Sequence, residues 1–193
     1  MYRFIDMIFG HIHAPRFWTK VMKCVVKFLR SLGIRCVVYI DDLLLIRGPD
    51  PEVARKELHF VFHLLLDLGL TINMGKSVLV PTTRILYLGF IIDSKLMKLF
   101  LPRDKVKNIV KTSKKLSKKG VTTVRNLASF LGLISAAAEA VLPWRLRTRA
   151  LLLSKNNVLK QIGSWDAPVE LSKDCLDELN FWTTEFTCTM EKT

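Results

Sequence analysis

The chain has 193 residues, half of them hydrophobic, and carries 30 lysines and arginines against 17 aspartates and glutamates for a formal net charge of +13. That length allows one large or two small domains with a real core, and the apolar share excludes a disordered tail. No apolar run is long enough to span a membrane, the N-terminus lacks a signal-peptide pattern, and Cys24, Cys36, Cys175 and Cys188 show no C-x-x-C pairing; a reducing intracellular setting without structural zinc or disulfides is expected.

The charge is unevenly placed. Residues 1–95 carry 13 basic and 8 acidic side chains (+5), residues 96–160 carry 15 and 2 (+13), and residues 161–193 carry 2 and 7 (−5). A basic field concentrated in one segment favours a polyanion. Nucleic acid is the expected partner rather than a membrane surface, because the basic segment has no helix with bulky aromatics on its apolar face.

In chain order, Ala14-Pro15 closes an irregular opening. Phe17, Val21, Cys24/Val25 and Phe28/Leu29 recur at helical spacing, predicting a helix over 17–32 that stops at Gly33. Residues 34–46 read as a hairpin, Cys36-Val37-Val38 and Leu43-Leu44-Leu45-Ile46 flanking Asp41-Asp42. Two adjacent carboxylates repel each other, and a bland turn would use Asn-Gly or Asp-Gly instead. A tandem carboxylate at a hairpin tip offers hard oxygen ligands to a divalent cation such as Mg²⁺; a solvated turn is the competing reading. Gly48-Pro49-Asp50-Pro51 predicts a turn and a helix to about Leu68, with Asp50 as N-cap and Pro51 in the first turn.

Strands are expected around Ser77–Val80 and Ile85–Ile92, the latter turning at Asp93-Ser94-Lys95 into Leu96–Leu101. Beyond Pro102 the pattern is helical. Val106, Ile109/Val110, Ser113 and Leu116/Ser117 form a narrow stripe, with Lys107, Lys111, Lys114, Lys115 and Lys118 on the other faces. A second helix is predicted from Thr122 or Thr123 to Ala140, and a third from Pro143 with Arg145, Arg147 and Arg149. Gly69…Gly75-Lys76-Ser77 ends like a P-loop but with the wrong glycine spacing. His59 and His63 lie four apart on a predicted helix, yet Phe60 stands where a metalloprotease has glutamate, so they are expected to pack the helix rather than bind zinc.

The segment order around Tyr39-Ile40-Asp41-Asp42 resembles the C-terminal half of a reverse transcriptase of retrotransposon type. Phe9-Gly10-His11-Ile12-His13-Ala14-Pro15 looks like the family's P-F-G-L-x-x-A-P element. Gly69-Leu70-Thr71-Ile72-Asn73-Met74-Gly75-Lys76-Ser77 resembles the next element, and Tyr87-Leu88-Gly89-Phe90 resembles the hairpin that holds the primer end. The fold implied is α+β: a partial palm over residues 1–101, a basic helical thumb over 102–160, and the start of a connection segment over 161–193.

The activity implied by the resemblance is RNA-directed DNA polymerisation with two Mg²⁺ ions, or Mn²⁺ in their place, on a template–primer duplex. By the same resemblance, Asp41 binds metal directly and Asp42 supports it, while Lys76 neutralises or protonates the leaving pyrophosphate. Phe9, Gly10, Ala14, Pro15 and Tyr39 face nucleotide and template. Leu88 and Gly89 grip the primer, and Lys107, Lys111, Lys114, Lys115 and Lys118 meet the nucleic-acid backbone.

Departures from the family pattern are equally specific. Ile8 replaces a proline, and His11, Ile12 and His13 replace a leucine and small residues. The family's first metal-binding aspartate lies tens of residues before the Ala-Pro element, where this chain offers only Asp6, which is too close. The chain alone is therefore expected not to polymerise. A non-catalytic nucleic-acid-binding module and a subunit whose palm is completed by a second chain are the alternatives.

Overall fold

The computed structural model describes residues 10–141, 144–184 and 186, so Asp6, Ile8 and Phe9 lie outside the described residues. Among these residues the fold is mixed α+β, with six α-helices and three small antiparallel sheets. It divides into two compact units, one ending at Thr82 and the other beginning at Thr83.

The first unit opens with α1 (Ala14–Ser31), which carries Pro15 in its first turn, where a missing N–H costs nothing. A hairpin of β1 (Arg35–Tyr39) and β2 (Asp42–Ile46) follows, then α2 (Pro51–Asp67). As the sequence predicts, Asp50 caps α2, its Oδ1 accepting from the Glu52 and Val53 amides at 2.9 and 3.4 Å. The core comprises Met22, Val25, Leu29, Ile34, Cys36 and Val61, with Trp18, Val38, Leu43 and Leu45 packed against it. In the hairpin register Cys36 faces Leu45 and Val38 faces Leu43, so this set is one side of the sheet.

In this unit one expectation holds in part and one fails. Of the apolar pattern on α1, Val25 and Leu29 are buried together with Met22, whereas Phe17, Val21, Cys24 and Phe28 are exposed. The helix is apolar over more than one stripe, and a two-stranded sheet covers only one of them. Ser77–Val80 is not a strand. Asn73 instead organises a turn, its carbonyl accepting from the Lys76 and Ser77 amides and from Ser77 Oγ, and its side chain from the Lys76 amide.

The second unit begins with a three-stranded meander, β3 (Arg84–Tyr87), β4 (Phe90–Asp93) and β5 (Lys98–Phe100). The expected single strand over 85–92 is two strands, because the backbone reverses at Leu88-Gly89. Asp93 Oδ1 then accepts from the Lys95 and Leu96 amides, both at 3.0 Å, which builds the second turn. Helix α3 (Arg103–Lys119) leads through β6 (Val121–Thr123) into α4 (Val124–Ser135), capped by Thr123 Oγ1.

The helix expected to reach Ala140 stops at Ser135, and residues 138–140 form a separate 3-10 turn. Arg145 and Arg147 sit in and beside another 3-10 turn, and α5 (Arg149–Ile162) starts only afterwards. Strand β7 (Pro168–Glu170) pairs with β6, and α6 (Lys173–Thr183) completes the unit.

The acidic segment shares the core of the basic helices. Ile109, Leu116, Leu127, Phe130, Ile134 and Leu151 pack with Cys175, Leu179, Trp182 and Phe186. Ser113, fully buried on α3, donates from Oγ to the Leu179 carbonyl at 2.7 Å. The Glu178 carboxylate accepts from the Ala150 and Leu151 amides at 2.8 and 3.0 Å, satisfying two unpaired donors at the start of α5. Trp182 Nε1 donates to the Arg147 carbonyl at 2.8 Å. On the surface, Arg125 pairs with Asp166 and holds its carboxyl below the ordinary range by hydrogen bonding and charge.

Trp182→Ala is expected to destabilise the unit by about 3–5 kcal/mol, through reduced burial and a cavity. Ser113→Ala is expected to cost about 0.5–1.5 kcal/mol, the net worth of one buried hydrogen bond. Urea unfolding of the full chain checks both; a Trp182→Ala midpoint equal to that of the parent would show that α6 is not integral to the core.

Candidate functional site

The carboxylate hairpin is a two-residue loop. Tyr39 pairs with Asp42 across the strands, leaving Ile40 and Asp41 as the loop residues. So short a reversal requires left-handed backbone to match the strand twist, and Ile40 adopts it at φ 50°. For a β-branched residue this is a strained conformation. It is held by Trp18 on α1, whose Nε1–H donates to the Ile40 carbonyl at 2.9 Å. The end of α1 is tied down as well, since Arg30 donates to the Cys36 carbonyl at 2.9 Å.

Asp41 and Asp42 are both exposed at this tip, so the apolar flanks do not shield them from water. Asp42 and Tyr39, being cross-strand partners, project on the sheet side opposite the core, together with Val37 and Leu44. Tyr39 is 58% exposed there and Ile40 is 47% exposed. Gly10 has φ +93° and open space where a side chain would stand, leaving its backbone approachable. Ala14 and Pro15 form the first turn of α1, and Lys76 is exposed on the Asn73 turn. His11 and His13 are exposed before α1, with the His13 amide donating to His11 Nδ1 at 3.3 Å.

The donor set suits a hard divalent cation, since such an ion is commonly held by one or two carboxylates with water and substrate phosphates completing its shell. Asp41 and Asp42 are adjacent exposed carboxylates of this donor type. Among the described residues no group of three or more His, Cys, Asp or Glu side chains is placed to hold a metal. By donor type, a pair of adjacent carboxylates suits one hard ion.

The second unit repeats the two-residue loop length, with left-handed backbone at both loop positions rather than at the first alone. Tyr87 pairs with Phe90, so Leu88 and Gly89 are the loop, with φ 48° and 78°. Both positive angles are those of a type I′ turn, and glycine at the second position supplies one without strain. Lys105 on α3 donates from Nζ to the Gly89 carbonyl at 2.9 Å, and the same ammonium lies 5.3 Å from the centroid of the Phe90 ring. A Cβ on Gly89 would collide with Lys105 Nζ. Neither Trp18 nor Lys105 is marked by the sequence pattern, because their partners lie 22 and 16 residues away.

On α3, Ile109, Ser113 and Leu116 face the core, while Lys107, Lys111, Lys114, Lys115 and Lys118 are all exposed. Lys107, Lys111, Lys114 and Lys118 recur at i, i+4, i+7 and i+11 and so share one face over about 16 Å of helix. Val106 and Val110 line a shallow groove with Lys107, Lys111 and Lys114.

Residues 2–92 match the family model of reverse transcriptase (RNA-dependent DNA polymerase), so this stretch of about 90 residues is a reverse transcriptase domain fragment. The chain is 33% identical over 87 residues to Protein P of Duck hepatitis B virus (strain China), a match covering 45% of this chain and 11% of that protein. Its fold is similar to that of the foamy viral protease-reverse transcriptase dRH, solved in complex with double-stranded DNA. That likeness has a TM-score of 0.67 at 21% identity and covers 93% of this chain and 28% of the other. The chain thus spans a small part of either relative, and both are viral.

Replacing Trp18 by phenylalanine keeps an aromatic ring and removes the N–H that holds the Ile40 carbonyl. Amide hydrogen exchange of residues 40–43 is expected to quicken about five- to tenfold, the equivalent of about one hydrogen bond. Unchanged exchange would show that the turn holds without the indole.

Proposed function

We propose that this chain is the C-terminal palm and thumb portion of a retroelement-derived reverse transcriptase. In this reading it binds a template–primer duplex and does not extend the primer by itself. The supporting observation is the Tyr39-Ile40-Asp41-Asp42 turn, a strained two-residue loop with exposed carboxylates inside the stretch that matches the family model. Residues 1–101 are read as palm, 102–160 as thumb, and 161–193 as the start of a connection whose first helix packs into the thumb core.

Asp41 is assigned to direct Mg²⁺ binding and Asp42 to its support. A bound Mg²⁺ would stabilise the charge that builds on phosphate oxygens during nucleotidyl transfer. The chain's own residues supply the surroundings. Trp18 fixes the loop, Gly10, Ala14, Pro15 and Tyr39 line the nucleotide side, and Lys76 offers a cation to pyrophosphate. Leu88 and Gly89 form the primer-grip tip, whose backbone Lys105 holds.

The lysine face of α3 supports the binding half of the proposal. Four ammonium groups on one helical face match a run of backbone phosphates and read no base edges. Lys115 flanks that face. Binding is accordingly expected to be indifferent to sequence and steeply weakened by salt.

Purified full-length chain is expected to bind a primed RNA–DNA duplex with a strongly negative slope of log affinity against log salt. Lys107→Gln, Lys111→Gln and Lys114→Gln together are expected to flatten that slope by about 2–3, near 0.9 for each phosphate no longer neutralised. An unchanged slope would move the interface away from α3. Primer extension with Mg²⁺ is expected to be undetectable; robust extension abolished by Asp41→Ala would overturn the non-catalytic half of the reading.

A further inference from the structure

His59 and His63 sit one turn apart on α2, both exposed, which overturns the expectation that they pack the helix against the core. Their Nε2 atoms are 3.1 Å apart and their ring centroids 4.3 Å apart. Two neutral imidazoles in this position share one proton, one ring donating Nε2–H to the lone pair of the other. When the donor ring shifts its hydrogen to Nδ1, both Nε2 lone pairs become available without loss of a proton.

The spacing is that of a chelate. With metal–nitrogen bonds of about 2.05 Å, nitrogens 3.1 Å apart subtend about 98° at the ion. That angle falls between the roughly 90° of cis octahedral ligands and the roughly 109° of tetrahedral ones. Of the charged neighbours on α2, Arg55, one turn earlier, is ion-paired with Glu52, Lys56 is an exposed cation three residues before His59, and Asp67, one turn after His63, is an exposed carboxylate. Phe62 packs edge-on against the His63 ring at 5.7 Å between centroids, restricting its rotation.

We propose that His59 and His63 form a two-histidine chelate on the exposed face of α2 for a borderline divalent transition ion, Zn²⁺, Ni²⁺ or Cu²⁺, with water completing the shell. Imidazole selects these ions over Mg²⁺, so the site is chemically separate from the carboxylate tip. By bridging two turns of α2, a bound ion stabilises the folded helix through mass action.

The test is titration of the full chain with Zn²⁺ in non-coordinating buffer, followed by the imidazole proton signals of the four histidines. The His59 and His63 signals are expected to shift together and saturate at one equivalent, with Mg²⁺ at the same concentration leaving them unmoved. His59→Gln and His63→Gln, both on exposed positions, are each expected to weaken binding about tenfold or more, since one imidazole must then replace two. His11→Gln with His13→Gln is expected to leave the affinity unchanged. Shifts confined to His11 and His13, single variants that bind as the parent does, or the absence of saturation would each overturn the proposal.

Discussion

A hairpin loop of two residues has to pass through left-handed backbone, and this chain places bulky residues there twice. Ile40 and Leu88 each accept a conformation that costs roughly 1–3 kcal/mol outside glycine. A net hydrogen bond returns about 0.5–1.5 kcal/mol, so one donor from a neighbouring helix offsets a large share of the strain. Trp18 supplies it from α1 to the Ile40 carbonyl, and Lys105 supplies it from α3 to the Gly89 carbonyl. In each unit the tip that carries the functional assignment is thus fixed to a helix that is itself anchored in the core. The exposed position of Asp41 and Asp42 follows from this arrangement, since a tighter or slipped turn would change which sheet side Asp42 occupies.

Charge is organised by the same packing. The acidic segment lies against the basic helices through its apolar face, with Cys175, Leu179 and Trp182 in the shared core. One of its carboxylates serves the backbone: Glu178 satisfies the start of α5, while Asp166 takes up Arg125 at the surface. Neither engages the lysines of α3. Lys107, Lys111, Lys114 and Lys118 are left on one exposed face of α3, while its core face is tied to α6 through Ser113.

The features legible in the sequence are those fixed by local chemistry. Asp50-Pro51 marks a helix start because the cap and its donors are two and three residues apart. The stripe Val106–Ile109–Ser113–Leu116 marks α3 because its period is unmixed. Asp41 and Asp42 stand out because like charges in an apolar run are rare and costly. What is illegible depends on partners distant in sequence. The buried face of α1 is only partly marked by the pattern, which includes Val25 and Leu29 but also Phe17, Val21 and Phe28; these are as apolar as Met22, and the small sheet decides between them. The β6–β7 pairing joins segments more than forty residues apart. The break at Leu88-Gly89 is hidden from periodicity by a continuous apolar run and is marked only by Gly89 and by the resemblance of Tyr87-Leu88-Gly89-Phe90 to a hairpin. His59 and His63 look like packing residues because the residues between them are apolar, and their exposure is a property of how α2 turns against the hairpin.

The central claim is that Asp41 and Asp42, on a turn fixed by Trp18, form the cation-facing tip of the first unit. Mn²⁺, a paramagnetic ion that shares the preference of Mg²⁺ for oxygen ligands, tests it directly through broadening of backbone amide signals. Substoichiometric Mn²⁺ added to the full chain is predicted to broaden the amides of residues 40–43 first, with Asp41→Asn abolishing the effect. Preferential broadening around the carboxylates of α6, or an undiminished effect in Asp41→Asn, would contradict the account.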